Sequence, residues 1–319
     1  MILVTGGCGY IGSHICKTLS AAGEDVLVVD NLSSGKRRNL LNDEKCEVGD
    51  ICDLNFLERI FSTHNIECVI HLAALVNAAE SGAKASEYRA VNEQGSENIW
   101  SVAHKAGVRR YIYASSAAVY GTPQNTEPLS ENAPIRPTNP YGETKLAGEN
   151  SLKKYGNTSA YCIFRFFNVA GADTSGEIGQ SQASRAFMQR VFHAASSGEP
   201  LIISGNDYPT VDGTVARDFV HVSDVAHAVN LALQRLRHEP LFQMTLNLGS
   251  GEAHTLKEVL DVCVNVLHLP VRYAYSTRVP GDISYSRADI TAAQSILNWS
   301  PIYSIQDMVR DGWRAYAHI

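Results

Sequence analysis

Five short apolar runs, ILVT, DVLVVD, CEVGD, ECVIHLAA and RRYIYASS, are separated by stretches of helical spacing, one of them running from Asn92 to Lys105. Strand and helix in alternation call for a parallel sheet, because parallel neighbours need a long crossover and a helix packs it against the sheet. The runs are apolar along their length, as expected where a sheet is buried on both faces. SAYCIFRFFN, residues 159–168, reads as a sixth strand.

After Asn168 the texture changes. AGADTSGEIGQSQAS and GNDYPTVDGT are rich in Gly, Ser and Asp, which suits loops more than sheet. Structured segments then return: HVSDVAHAVNLALQRL reads as a helix, TLNLG as a strand, LKEVLDVCVNVL as a helix and the last thirty residues as helix again. The expected organisation is a doubly wound domain over residues 1–168 and a smaller, interleaved C-terminal lobe over 169–319, parts of which return to the first domain.

The opening strand runs directly into VTGGCGYIGSH, with four glycines in seven residues. Gly6, Gly9 and Gly12 give one regular spacing, and Gly7, Gly9 and Gly12 give G-x-G-x-x-G. Strand, glycine turn and helix, followed by a second strand ending in Asp30, form the Rossmann-type context in which this pattern binds a dinucleotide. Glycines let backbone N–H groups close on a pyrophosphate, which then sits at the positive end of the helix that Tyr10 and Ile11 begin. Asp30, 18 residues past Gly12, can accept hydrogen bonds from the adenosine ribose, and its charge opposes a 2′-phosphate. NAD is therefore the expected cofactor. Asn31, then Asp50 and Ile51 after the third strand, Ala73 after the fourth, and Asn92 at the start of the next helix fall where further cofactor contacts are needed.

Hydrophobic residues make up 45% of the 319, charged residues 19%, and the formal net charge is -6, which argues against disorder and against a nucleic-acid or anionic-membrane partner. Seven cysteines (Cys8, Cys16, Cys46, Cys52, Cys68, Cys162, Cys263) include no C-x-x-C pair and lie mostly in apolar runs, so they read as buried thiols. No metal site is expected. With no 18-residue apolar stretch, the expected location is the cytoplasm.

Tyr141 and Lys145 stand four apart in PYGETKLAGENSLKKY, a segment that Pro140 can open as a helix, so both emerge on one face. An ammonium beside a phenol favours the phenolate. RRYIYASSAAVYG ends the fifth strand in Ser115 and Ser116, which brings a hydroxyl to the carboxyl edge of the sheet.

Taken together, VTGGCGYIGSH, VVDNLSSGK, VGDI, SSAAVYG, PYGETK, FRFFNVAGAD, GNDYPTVDGT and RDFVHVSDVAHA resemble the extended short-chain dehydrogenase/reductase family over nearly the whole chain. Within that family the chain is most similar to nucleotide-sugar 4-epimerases of the UDP-glucose (UDP-galactose) type. The resemblance implies that Tyr141 is the acid/base on the sugar hydroxyl, that Lys145 lowers its pKa and binds the nicotinamide ribose, and that Ser116 orients the same hydroxyl. It implies substrate contacts from Asn168 and Arg217 to a nucleotide diphosphate, from Asp282, and from Ser286, at the position that sets room around the sugar C2 substituent. A small residue there leaves space for an N-acetyl group. It further implies a homodimer through the helices near 92–105 and 141–155. For Arg217 the residues alone also allow a surface pair with Asp218.

The chain departs from its relatives at Val76, where a lysine is usual near the cofactor phosphates, at Val279, where a second arginine is common, and over SQASRAFMQRVFHAA, which replaces a substrate-contacting segment. Two related activities compete with epimerisation. A nucleotide-sugar 4,6-dehydratase needs an extra acid and base, and those places hold Ala117 and Ala118; a 4-keto reductase would release its cofactor each turn. A non-catalytic NAD-binding regulator would have no need of Tyr141, Lys145 and Ser116 together.

Overall fold

The computed structural model describes residues 1–42, 44–279 and 281–318. The first half runs β1 (Ile2–Thr5), α1 (Tyr10–Ala21), β2 (Val26–Asp30), β3 (Lys45–Val48), α2 (Leu54–Thr63), β4 (Cys68–His71), α3 (Ala78–Ser81), α4 (Ala85–Tyr88), α5 (Gly95–Lys105), β5 (Arg110–Ser116), α6 (Pro140–Lys153) and β6 (Ala160–Phe166). The second half adds β7 (Asn168–Ala170), α7 (Phe187–Ser197), β8 (Leu201–Ser204), β9 (Ala216–His221), α8 (Val222–His238) and β10 (Gln243–Leu248). It ends with β11 (Ala253–Thr255), α9 (Leu256–Asn265), β12 (Tyr273–Ser276), β13 (Tyr285–Ser286), α10 (Thr291–Leu297) and α11 (Ile305–His318).

Seven strands form one parallel sheet in the order β10-β6-β5-β4-β1-β2-β3. All six strands expected from the apolar runs are in it, and the TLNLG strand returns from the second half as the seventh. The fold is Rossmann-type α/β. Chain order reverses between β1 and β4, and the crevice at their carboxyl ends is where such sheets bind ligands. Helices cover both faces: Ile15, Leu19, Val229 and Leu233 pack on one, Leu57, Ile60, Ile99, Trp100 and Leu152 on the other.

β7, α7, β8, β9, α9 and α11 gather around a separate apolar cluster that includes Val191, Phe192, Ile203, Val259, Leu260 and Val309. There β9 pairs in parallel with β7 and β13 and antiparallel with β11, while β8 pairs in parallel with β12. β8, β11, β12 and β13 are two to four residues long. That is too short for an alternation of side chains to stand out in the sequence.

Three sequence expectations need correction. Asn92 does not start a helix: it lies inside a π-helical turn, Arg89–Gln94, that joins α4 to α5. The last thirty residues are two helices, because α10 stops at Asn298 in a left-handed conformation (φ 52°) and Pro301 follows. The cysteines are free but not uniformly buried: Cys52 is exposed, Cys46 is half-buried, and the Cys8 and Cys46 sulfurs lie 3.8 Å apart. Among the described residues no helix is long and apolar enough to cross a membrane.

Candidate active site

The glycine turn links β1 to α1 at the carboxyl edge of the sheet. Gly6 has φ +73°, and a Cβ there would meet the Ala73 backbone nitrogen at 2.7 Å. A Cβ on Gly12 would lie 2.2 Å from the Gly6 carbonyl oxygen. A Cβ on Gly7 would instead strike Val28 at 2.8 Å, so Gly7 serves helix-to-sheet packing and the working spacing is Gly6, Gly9 and Gly12. Gly9 is the N-cap of α1 and supplies no side-chain cap. The first-turn N–H groups of Tyr10, Ile11 and Gly12 therefore face the turn with no capping side chain, a cradle suited to a pyrophosphate. The Tyr10 hydroxyl points elsewhere and donates to the Gly171 carbonyl at 2.7 Å.

Asp30, at the end of β2, is buried and accepts from the Cys8 N–H at 3.0 Å and the Leu32 N–H at 2.8 Å. Each carboxylate oxygen keeps a lone pair for a ribose hydroxyl. Asn31 donates to Asp50 at 2.9 Å, which bridges the ends of β2 and β3, and Asp50 also accepts from the Cys52 N–H at 2.8 Å. Ile51 is buried, and its carbonyl accepts from Asn98 at 3.2 Å. Ala73 closes on Gly6 across the switch point. The Asn92 amide is spent within the protein: it exchanges hydrogen bonds with the Leu75 backbone at 2.8 and 2.9 Å and donates to Thr144 at 3.2 Å. Asn92 thus clamps the loop after β4 to α6.

Beside this cradle β5 ends in Ser116 and α6 begins, with Asn139 capping the helix by accepting from the Gly142 N–H at 2.9 Å and Pro140 in its first turn. Tyr141 and Lys145 follow one turn apart, as their spacing predicts. Burial raises the Tyr141 pKa above the usual phenol value, and a hydrogen bond with the Ser116 side chain acts in the opposite sense. The Tyr88 ring stands edge-on to Tyr141, centroids 6.4 Å apart. Lys145 is directed at the strand: its Nζ donates to the Ala114 carbonyl at 2.8 Å and lies 5.2 Å from the centre of the Tyr113 ring. Burial pushes the Lys145 pKa down to about 7, opposed by the charge of Glu149.

In the second half β9 carries Arg217, which faces Ser286 of β13 in register and donates to Asp282 at 2.7 Å. The alternative pairing with Asp218 is wrong. Neighbouring residues on a strand point to opposite faces, and Asp218 is buried, accepting from the Ser250, Gly251 and Ala288 N–H groups at 2.6, 3.0 and 3.0 Å. Asn168 opens β7, exposed and in register with Phe219 of β9. Val76 and Val279 are both exposed. Ala117 and Ala118 form the turn after Ser116. A cavity of about 320 Å³ between the departing segment and β8, lined by Gln182, Arg185, Gln189, Arg190 and His193 among others, includes none of the residues singled out for the site.

Two buried polar groups around the site carry no motif. His71, wholly buried, lies between the Thr5 hydroxyl at 2.6 Å and the Ser96 hydroxyl at 3.0 Å, and stacks on Tyr113. Burial lowers its pKa to about 3, so it is neutral. Glu149 accepts from Ser115 at 2.6 Å and is paired with Arg165 at 2.8 Å. The available signals were a histidine inside an apolar strand and a carboxylate four residues past Lys145.

The sequence profile of the NAD dependent epimerase/dehydratase family matches residues 2–249. The chain belongs to that family. It is 39% identical to a UDP-glucose 4-epimerase of Halalkalibacterium halodurans, over 98% of this chain and 94% of that one. Among solved structures it resembles a UDP-glucose-4-epimerase from Stenotrophomonas maltophila with bound NAD and formylated UDP-arabinopyranose, with a TM-score of 0.95, 34% identity and coverage of 99% and 98% of the two chains. The UDP-Glc/GlcNAc 4-epimerase from Campylobacter jejuni gives a TM-score of 0.86 at 30% identity, covering 100% and 99%. Family membership and the glycine cradle thus meet in one crevice.

Proposed function

We propose that this protein interconverts UDP-sugars at C4, using NAD, with UDP-glucose and UDP-galactose as the first pair. The observation that carries the reading is the convergence of the bare glycine turn with Tyr141 and Ser116 at the carboxyl edge of one sheet. NAD fits the cradle, since side chains at Gly6 or Gly12 would collide with backbone where the pyrophosphate is to lie, and Asp30 keeps acceptors free for the ribose. Gly6, Gly9, Tyr10, Ile11 and Gly12 would hold the pyrophosphate through backbone N–H groups; Asp30 and Asn31 the ribose; Asp50, Ile51, Ala73 and Asn92 would line the rest of the site. When bound, NAD supplies a reversible hydride acceptor at C4 of the sugar.

Tyr141 takes the proton of the C4 hydroxyl and later returns it, and Ser116 holds that oxygen in line by hydrogen bonding. A phenol has a reference pKa of about 10, and burial raises it here, so base action needs a positive field close by. Lys145, together with the positive nicotinamide ring, provides that field. Arg217 is suited to the diphosphate because its planar fork donates paired hydrogen bonds. Binding of the diphosphate then competes with its ion pair to Asp282. Asn168, Asp282 and Ser286 complete the substrate side, and the small Ser286 leaves room for an N-acetyl group, so UDP-GlcNAc and UDP-GalNAc are substrates too.

The same reading assigns residues 1–168 to NAD and most of 169–319 to the sugar nucleotide, supported by the separate apolar cluster of the second half. It includes a cytoplasmic homodimer formed through α5 and α6. Dehydration is disfavoured because Ala117 and Ala118 offer no proton-transfer group.

The test is incubation of purified protein with UDP-, GDP-, CDP- and dTDP-sugars and detection of C4 epimers by NMR. Epimers from UDP-glucose or UDP-galactose without added reductant support the reading. Release of NADH, loss of water or no reaction at all with the whole panel overturns it.

A further inference from the structure

The candidate catalytic helix α6 is fastened to the end of β5 at two successive turns. Lys145 Nζ donates to the Ala114 carbonyl at 2.8 Å, Glu149 accepts from the Ser115 hydroxyl at 2.6 Å, and Ser116, next along the strand, acts against the burial that raises the Tyr141 pKa. Tyr141, Lys145 and Glu149 lie four apart on α6, so they share one face, and the two bonded partners, Ala114 and Ser115, are consecutive residues of one strand. Glu149 is wholly buried and is held rigidly from behind: Arg165 of β6 donates to its two oxygens at 2.9 and 2.8 Å. Arg165 donates in turn to the Tyr120 hydroxyl and the Glu131 carbonyl, both at 3.1 Å, and Tyr120 donates to Asn247 of β10 at 2.7 Å.

We propose that Glu149 is a positioning residue for the reaction: its buried carboxylate fixes the register of α6 against the Ser115–Ser116 strand end and sets a negative charge one helical turn from Lys145. The proposal rests on the assignment of Tyr141, Lys145 and Ser116 given above. A bidentate pair with Arg165 is the most rigid hold available to a carboxylate, which suits a residue that must set geometry without touching substrate. Charge acts in the same direction. Lys145 faces Glu149 on its own helix, the Tyr113 ring and Ala114 carbonyl on β5, and neutral His71 on β4. Burial works against its ammonium, and Glu149 is the acidic group that supports it. Glu149 itself faces Ser115, Arg165, Lys153 and Tyr113.

The deciding experiment follows the Lys145 titration by 13C NMR of ε-labelled lysine in the NAD-loaded protein, alongside the pH profile of kcat/KM. Glu149→Gln removes the charge and keeps an acceptor for Ser115. Because the carboxylate favours the ammonium, the variant loses that ammonium at lower pH, and both the titration and the alkaline limb move down by about one pH unit. Should the unpaired Arg165 prevent folding, Glu149→Gln/Arg165→Gln removes both buried charges together, and its shift has the same sign. Ser115→Ala deletes one hydroxyl and leaves every charge in place; it lowers kcat with KM and the alkaline limb unchanged. An unmoved Lys145 titration in whichever Glu149→Gln variant folds, or an unchanged kcat in Ser115→Ala, overturns the positioning role. The titration is readable without turnover, so a protein that fails to epimerise would break the functional reading while leaving this one to be decided separately.

Discussion

The proposed cofactor end and the proposed substrate end of the crevice are built by different means. At the cofactor end the binding surface is backbone: Gly6, Gly9 and Gly12, the open first turn of α1 and the end of β2 lie within thirty residues of sequence. At the substrate end the surface is side chain, and it is assembled from β7, β9, β13 and the segment around Asp282, separated by more than a hundred residues. Backbone cradles tolerate few substitutions, because a Cβ at Gly6 or Gly12 intrudes on the backbone. Side-chain surfaces can be retuned one residue at a time, and the departures at Val279 and through 182–193 are of that kind.

The sharpest way to break this contrast is at the turn itself. Gly12→Ala puts a Cβ 2.2 Å from the Gly6 carbonyl and should abolish NAD binding or folding, whereas at Gly9 the nearest contact is 3.2 Å, so Gly9→Ala should retain the fold and most of the binding. Calorimetric NAD titration of both variants checks this; equal behaviour would mean the turn is not a tight backbone site. Tyr141→Phe should fold and bind NAD while turnover falls by about 10²- to 10⁴-fold, the usual contribution of a positioned acid/base. Near wild-type turnover would remove Tyr141 from that role.

Asp30→Ala tests the buried carboxylate proposed to take the ribose. Losing charge-assisted acceptors should weaken NAD by about 10- to 100-fold and narrow the preference over NADP, as read by comparing Kd for the two cofactors. The smallest effect is expected at the substrate end, where Ser286→Tyr should change the ratio of kcat/KM between N-acetylated and plain UDP-sugars by about tenfold, the cost of overfilling a packed pocket by about 1 to 3 kcal/mol. A ratio that does not move, or a wild type that already rejects N-acetyl sugars, would show that Ser286 is not the gate.

The same contrast explains what could be read in advance. The six strands, the glycine turn and the helix carrying Tyr141 and Lys145 depend on local patterning, and the structure has each where the pattern puts it. β10 was legible as a strand because TLNLG is apolar and bounded by glycine. The short strands β8, β11, β12 and β13 were not, since two to four residues carry no period. Arg217 was found but its partner was not: Asp282 lies 65 residues away, and only the alternation of side chains on β9 excludes the adjacent Asp218. Glu149 and Arg165 were missed for a similar reason, because a buried ion pair between a helix and a strand looks in sequence like two ordinary surface charges.

The most direct test of the proposed chemistry uses UDP-glucose deuterated at C4, incubated with the purified protein in ordinary water. Hydride removed from C4 and returned to the opposite face within one closed site must leave the deuterium at C4 of the UDP-galactose formed, with none lost to solvent. UDP-galactose carrying solvent hydrogen at C4, or no UDP-galactose at all, would contradict the mechanism.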